Sequence, residues 1–155
     1  RRVMIASKVE DMINTVVRQI AFYEFERRVH DARRDGELTP DQLGDIWMLI
    51  QEEGLGPIFR YDKGYRNFWS YIPHFIHAPF YVYAYAFGDC LVNSLYGVYE
   101  DGIPDFEAKY LEMLRAGGTL RHKELLAPFG LDASDPEFWS RGLDVISGLI
   151  DELED

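Results

Sequence analysis

The sequence predicts an all-α protein, and three observations carry that prediction: apolar residues recur at steps of three and four, helix caps and Gly or Pro breaks punctuate those runs, and no alternating strand pattern or internal repeat is present. The expected architecture is an irregular multi-helix bundle, with a functional loop ahead of a buried helix. With 155 residues, 47% of them hydrophobic and 15% aromatic, the chain has material for one core, so residues 1–155 are read as a single helical lobe.

From Val9 the side chains Ile13, Val16, Val17, Ile20 and Tyr23 repeat on one face and continue through Phe22, Phe25 and Val29, a long amphipathic helix. Arg27, Arg28, Arg33 and Arg34 lie on its outer face, and Gly36 is placed to cap its end. The pattern is already apolar by Val3 and the chain opens at Arg1 without a Met, so a fragment or a processed chain is expected. Thr39, Pro40 and Gln42 form a capping box with proline in the first helical position, predicting a helix over 40–53 that carries Leu43, Ile46, Trp47 and Ile50. Gly54, Gly56 and Pro57 break it, and the Tyr- and Trp-rich stretch from Ile58 to Ala78 holds neither period, which predicts a long ordered loop.

Pro79 is expected to open the next helix, apolar nearly all round through Phe87, Leu91, Leu95 and Val98 until Gly102, and therefore largely buried. Three helices are predicted beyond it, over 104–116, around 120–126 and from Pro136 onward. For the last, Asp135 is an N-cap signal, while Ser134 with Glu137 offers a competing capping box.

A net charge of −11 excludes a polyanion as partner, since neutralising phosphates needs clustered Lys and Arg. The single cysteine, Cys90, leaves no internal disulfide or thiolate zinc cluster and suits a reducing cytoplasm. No apolar run reaches the roughly 20 residues that span a bilayer, so no membrane association is expected.

Functional side chains are densest from Tyr71 to Tyr85, a run holding His74, His77, Tyr81, Tyr83 and Tyr85. Pro73 and Pro79 are expected to keep most of His74 to Ala78 out of a regular helix, and the three tyrosines to fall in the first turns of the helix that follows. Residues two apart on a helix point about 200° apart, so Tyr81 and Tyr85 share a face and Tyr83 projects elsewhere. Any of these phenols can equally serve as core packing. His74 and His77 have a spacing that two zinc ligands can use, yet a catalytic zinc site wants a third ligand and a base, and no H-E-x-x-H occurs in the sequence. His30 and His122 read as surface residues. No G-x-S-x-G elbow, Gly-rich phosphate loop or Cys-His pairing is present.

The run P-H-F-I-H-A-P-F-Y-V-Y-A-Y-A-F-G over Pro73–Gly88 resembles the signature segment of oligoendopeptidase F, within the thimet-like zinc metallopeptidases. R-Q-I-A-F-Y-E-F-E over Arg18–Glu26, Y-L-E-M-L-R-A-G-G over Tyr110–Gly118 and the L-L-A-P-F-G-L-D stretch ending at Asp132 are similar to other segments of that family. The resemblance implies the C-terminal part of a larger helical peptidase whose zinc is held by an H-E-x-x-H portion lying before this chain, so that this chain binds no zinc itself. It implies short peptides as substrates. It assigns His74 and Tyr83 to transition-state and oxyanion stabilisation, and His74, His77, Tyr81, Tyr83 and Tyr85 to substrate binding, with the choice between Tyr81 and Tyr83 open. Without the zinc motif the chain alone is expected to be inactive. The alternative is a non-catalytic helical protein that binds peptides or dimerises.

Overall fold

The computed structural model describes residues 1–154. Seven α-helices follow in order: α1 (Arg2–Ala32), α2 (Pro40–Leu55), α3 (His74–His77), α4 (Tyr83–Glu100), α5 (Phe106–Ala116), α6 (His122–Leu126) and α7 (Pro136–Glu154), with short 3₁₀ segments between some of them and no strand among the described residues. None of these helices is long and apolar enough to cross a membrane. The helices gather into two compact units, one made of 11–87 and the other of 1–10 with 88–155.

In the 11–87 unit, α1 contributes Ala21, Phe22 and Phe25 and α2 contributes Trp47 and Ile50 to a core completed by Ile72 and Val82. The rings interlock: Phe25 meets Trp47 edge-on at 5.3 Å, and Phe75 lies 5.0 Å from Phe25 and 5.7 Å from Phe22. Fully burying a ring such as Phe22 or Phe25 stabilises the fold by about 1.5–3 kcal/mol. The expected capping box opens α2, with the Gln42 N–H donating to Thr39 Oγ1 at 3.3 Å and the Thr39 N–H to Gln42 Oε1 at 2.8 Å. Gly44 lets the Arg66 side chain lie directly on α2, where it reaches the Asp41 carbonyl and the Asp45 carboxylate, both at 2.7 Å.

The stretch expected to be an ordered loop without a helical period holds regular helical turns. Tyr65–Tyr71 forms a 3₁₀ helix of seven residues, long for that geometry. Three residues per turn align Tyr65, Phe68 and Tyr71, whose successive ring centroids are 5.0 and 6.4 Å apart, and Tyr61 stacks on the first at 4.9 Å. A column of rings replaces the amphipathic stripe that a 3.6 period would show. His74–His77 then makes one α-helical turn, contrary to the expectation that the flanking prolines exclude it: Pro73 precedes the turn, where no amide hydrogen is required, and Pro79 follows its end.

In the other unit, Leu95 and Val98 of α4, Leu126 of α6, Phe129, Leu131 and Phe138 of α7 form the core. Gly142 brings α7 against α4 so closely that a Cβ there would sit 2.9 Å from the Cys90 carbonyl oxygen. The fully buried Ser94 hydroxyl donates to the Phe138 carbonyl at 2.8 Å, and Arg141 pairs with Asp101 at 2.6 Å. Asp135 caps α7 by accepting the Glu137 N–H at 3.0 Å, while the Ser134 hydroxyl turns back to Asp132, which settles the two competing caps in favour of Asp135. Helix α5 starts at Phe106 and not at Pro104, because Asp105 adopts left-handed backbone angles (φ 59°) that interrupt a helix. Along α4, Cys90, Asn93, Ser94, Leu95 and Val98 are buried, whereas Val92, Tyr96 and Tyr99 form an exposed stripe.

Candidate functional site

The His- and Tyr-rich segment lies wholly within the 11–87 unit, and its geometry is set by one irregular turn between α3 and α4. The helix expected to open at Pro79 begins only at Tyr83. Phe80 has φ 58°, in the left-handed region that costs an L-residue about 1–2 kcal/mol. Its N–H donates to Glu26 Oε1 of α1 at 2.8 Å, which ties the turn down in that conformation. Val82, with no exposed surface, anchors the turn to the core, and the Ala84 N–H donates to the Tyr81 carbonyl at 2.9 Å to start α4. Tyr81 therefore precedes the helix, while Tyr83 and Tyr85 stand in its first turn.

This backbone sorts the side chains into two groups. His74 Nε2 lies 3.1 Å from the Tyr85 hydroxyl, and Tyr81 packs edge-on against Tyr85 at 5.6 Å, so the face expected for Tyr81 and Tyr85 is shared although Tyr81 is not helical. Either the imidazole accepts from the phenol or, in the other tautomer, donates to it. Tyr83 points into a different group, meeting Tyr23 of α1 edge-on at 5.9 Å. Tyr23 in turn meets Phe80 at 6.2 Å, and Phe80 packs on His30 at 4.8 Å. Tyr83 is half exposed, and its hydroxyl has no hydrogen-bond partner among the described residues. His77 stands apart from both groups; it is exposed and makes no side-chain hydrogen bond or ring contact among the described residues.

Chemically, this is a set of O–H and N–H groups held on a packed turn, half open to solvent, and suited to hydrogen-bonding a polar ligand. Among the described residues no three His, Cys, Asp or Glu side chains come together in a way that could hold a metal ion, so His74 and His77 have no third ligand there.

Three further residues take part in this arrangement. By sequence Tyr23 belongs to the apolar face of α1 and Phe80 to the helix expected from Pro79, and neither pattern marks a role at the site. Glu26 is 2% exposed, its second oxygen, Oε2, has no partner among the described residues, and burial pushes its carboxyl above the ordinary carboxylate range despite the Phe80 hydrogen bond and the nearby His30 and His74. The available signal was spacing, since Glu26 falls four residues after Phe22 and three before Val29, inside the apolar stripe of α1.

The chain is 31% identical over 149 residues to oligopeptidase PepF of Bacillus subtilis, covering 95% of this chain and 22% of that protein. It is 31% identical over 141 residues to the plasmid oligoendopeptidase F of Lactococcus lactis subsp. cremoris, covering 90% of this chain and 23% of the other. A crystal structure of a Chlamydophila abortus protein, provisionally described as a peptidase, superposes with a TM-score of 0.85 at 29% identity, over 96% of this chain and 25% of that one. The chain thus spans about a quarter of the length of these relatives. Residues 1–145 match peptidase family M3, and the chain belongs to that family as a partial peptidase region.

Proposed function

We propose that this chain is the substrate-binding wall of a zinc-dependent oligoendopeptidase that hydrolyses short peptides, the zinc ligands being supplied by another part of the longer protein. The observation that carries the reading is the half-exposed Tyr83 hydroxyl, unpartnered among the described residues, standing in the first turn of α4 beside a His74–Tyr85 hydrogen bond. In this reading Tyr83 donates its O–H to the carbonyl oxygen of the scissile peptide as that oxygen gains charge, and a donor already aimed at that position needs no reorganisation during the reaction. His74 and Tyr85 hold one another and present the remaining donor and acceptor sites to the peptide backbone, with Tyr81 packed against Tyr85 as the outer edge. The isolation of His77 gives it the least support as a binding residue.

Between the two candidate phenols the exposure is nearly equal, 53% for Tyr81 and 50% for Tyr83. Tyr83 is favoured because it belongs to a regular helical turn and is braced by Tyr23, so its hydroxyl is the better fixed. The names of the relatives, oligopeptidase and oligoendopeptidase, support short peptides as the substrate class. The 155-residue chain alone is expected to cleave nothing.

The test is steady-state cleavage of a fluorogenic peptide by the full-length protein, with and without chelator. Tyr83→Phe, which removes one oxygen and leaves the ring, is expected to lower kcat about 10²–10³-fold, the cost of one oxyanion donor. Unchanged kcat in Tyr83→Phe, or cleavage indifferent to chelation, would refute the assignment.

A further inference from the structure

We infer that Glu26 is a positioning residue of this site: its buried carboxylate holds the left-handed turn at Phe80 and thereby fixes where Tyr83 and Tyr85 leave the turn. The inference rests on the reading of Tyr83 given above and adds to it the element that places that residue.

Phe80 adopts φ 58°, a conformation that an aromatic residue keeps only when its surroundings over-determine it. The constraint comes from 54 residues earlier in the chain, where Glu26 Oε1 accepts the Phe80 N–H at 2.8 Å. Release of that hydrogen bond would let Phe80 relax to negative φ and swing its ring away from Tyr23 and His30, the two side chains it packs against. Tyr23 is also the ring that braces Tyr83. The tether thus reaches the proposed oxyanion donor by two routes, through the backbone of Tyr81 and Val82 and through the Phe80–Tyr23–Tyr83 rings.

A carboxylate is costly for such a task. Glu26 is nearly inaccessible to water, sits in the apolar stripe of α1 among Phe22, Phe25 and Val29, and leaves Oε2 without a partner among the described residues. A leucine would suit that stripe better for stability alone. Retention of an acceptor there fits a geometric role, in which the Phe80 amide must be bonded for the turn to stay left-handed.

Glu26→Leu and Glu26→Gln separate the two roles, assayed in the full-length protein together with hydrogen exchange at the Phe80 amide. Leucine keeps the bulk and loses the acceptor, so kcat is expected to fall about 10–100-fold with the thermal midpoint unchanged or raised, a loss in keeping with misplacement of a reacting group by about 1 Å. Glutamine keeps an acceptor oxygen and is expected to recover kcat to within about threefold of the natural protein, with the Phe80 amide again protected. Wild-type kcat in Glu26→Leu overturns the proposal. If Glu26→Leu does not fold, the wild-type protein still decides: a Phe80 amide exchanging at the rate of an open loop overturns the tether, and one protected as strongly as the amides of α4 upholds it. A kcat loss in Tyr83→Phe with none in Glu26→Leu rejects the role of Glu26 alone, whereas no loss in Tyr83→Phe rejects the site reading and the role of Glu26 with it.

Discussion

The 11–87 unit and the unit formed by 1–10 with 88–155 are built to different rules. The former is an aromatic interior around Phe22, Phe25, Trp47 and Phe75, and the buried side-chain atoms without a hydrogen-bond partner among the described residues, on Glu26, Trp47, Gln51 and Trp69, all belong to it. The latter is closed by aliphatic and aromatic side chains on regular helices, and its fully buried polar group, Ser94, is satisfied. Unpaired buried polar atoms are rare because each costs about 1–3 kcal/mol. All four lie in the unit that also carries His74, Tyr81, Tyr83 and Tyr85.

The largest expected effect tests whether the aromatic interior is one cooperative block. Phe25 touches Trp47, Trp69 and Phe75, so Phe25→Ala opens a cavity among rings that cannot easily collapse and is expected to cost about 3–5 kcal/mol. Hydrogen exchange should register the loss throughout α2 and the α1 residues from 11 onward, with amides of α5 and α6 unaffected. Equal loss of protection in α5 would erase the distinction between the units.

An intermediate effect separates the ways in which the units bring elements together. In Gly142→Ala the new methyl group meets the Cys90 backbone, its carbonyl oxygen at 2.9 Å and Cα at 3.1 Å, and two helices must part. In Gly44→Ala the nearest atoms, at 2.7 and 2.9 Å, belong to the flexible Arg66 side chain, which can shift. Gly142→Ala is expected to cost about 1–3 kcal/mol, as overpacking does, and Gly44→Ala less, read from thermal midpoints. The reverse ranking would contradict a backbone-to-backbone contact at Gly142.

Those contrasts also explain what the sequence could and could not convey. Helices α1, α2 and α7 were legible because their signals are local: apolar steps of three and four, the Thr39–Gln42 box, the Asp135 cap. The start of α4 was not, because the residue that delays it, Phe80, is held by Glu26, which acts across 54 residues and carries no short-range mark. Seven residues of 3₁₀ helix at Tyr65–Tyr71 were hidden for a different reason, since their side chains repeat every three residues in a row of aromatic rings and do not form an amphipathic face. At the site, the order of His74, Tyr81, Tyr83 and Tyr85 was readable and the Tyr81–Tyr85 face was correctly expected. The separation of Tyr83 into a group with Tyr23 and Phe80 depends on a left-handed residue, and nothing in the identity of a phenylalanine announces one.

The smallest expected effect concerns pH, and it compares a carboxyl in each unit. Burial raises Glu26 above its ordinary 4.5 against the Phe80 hydrogen bond and the nearby His30 and His74, and raises Asp89 above 3.8 against Lys8 and a 3.0 Å hydrogen bond from Asn93, but Glu26 is buried whereas Asp89 is only partly so. An acid whose folded value is raised binds more protons folded than unfolded between the two values, so its contribution favours the fold at low pH and is lost as pH rises through the raised value. Glutamine and asparagine do not titrate. The advantage of Glu26→Gln over the natural protein is therefore expected to grow from pH 4 to pH 7.5, and that of Asp89→Asn to grow less, because the partly exposed Asp89 keeps contact with water in its charged form. Thermal midpoints of both variants at the two pH values check the ranking. A Glu26→Gln difference that is flat with pH would mean that burial does not raise the Glu26 carboxyl.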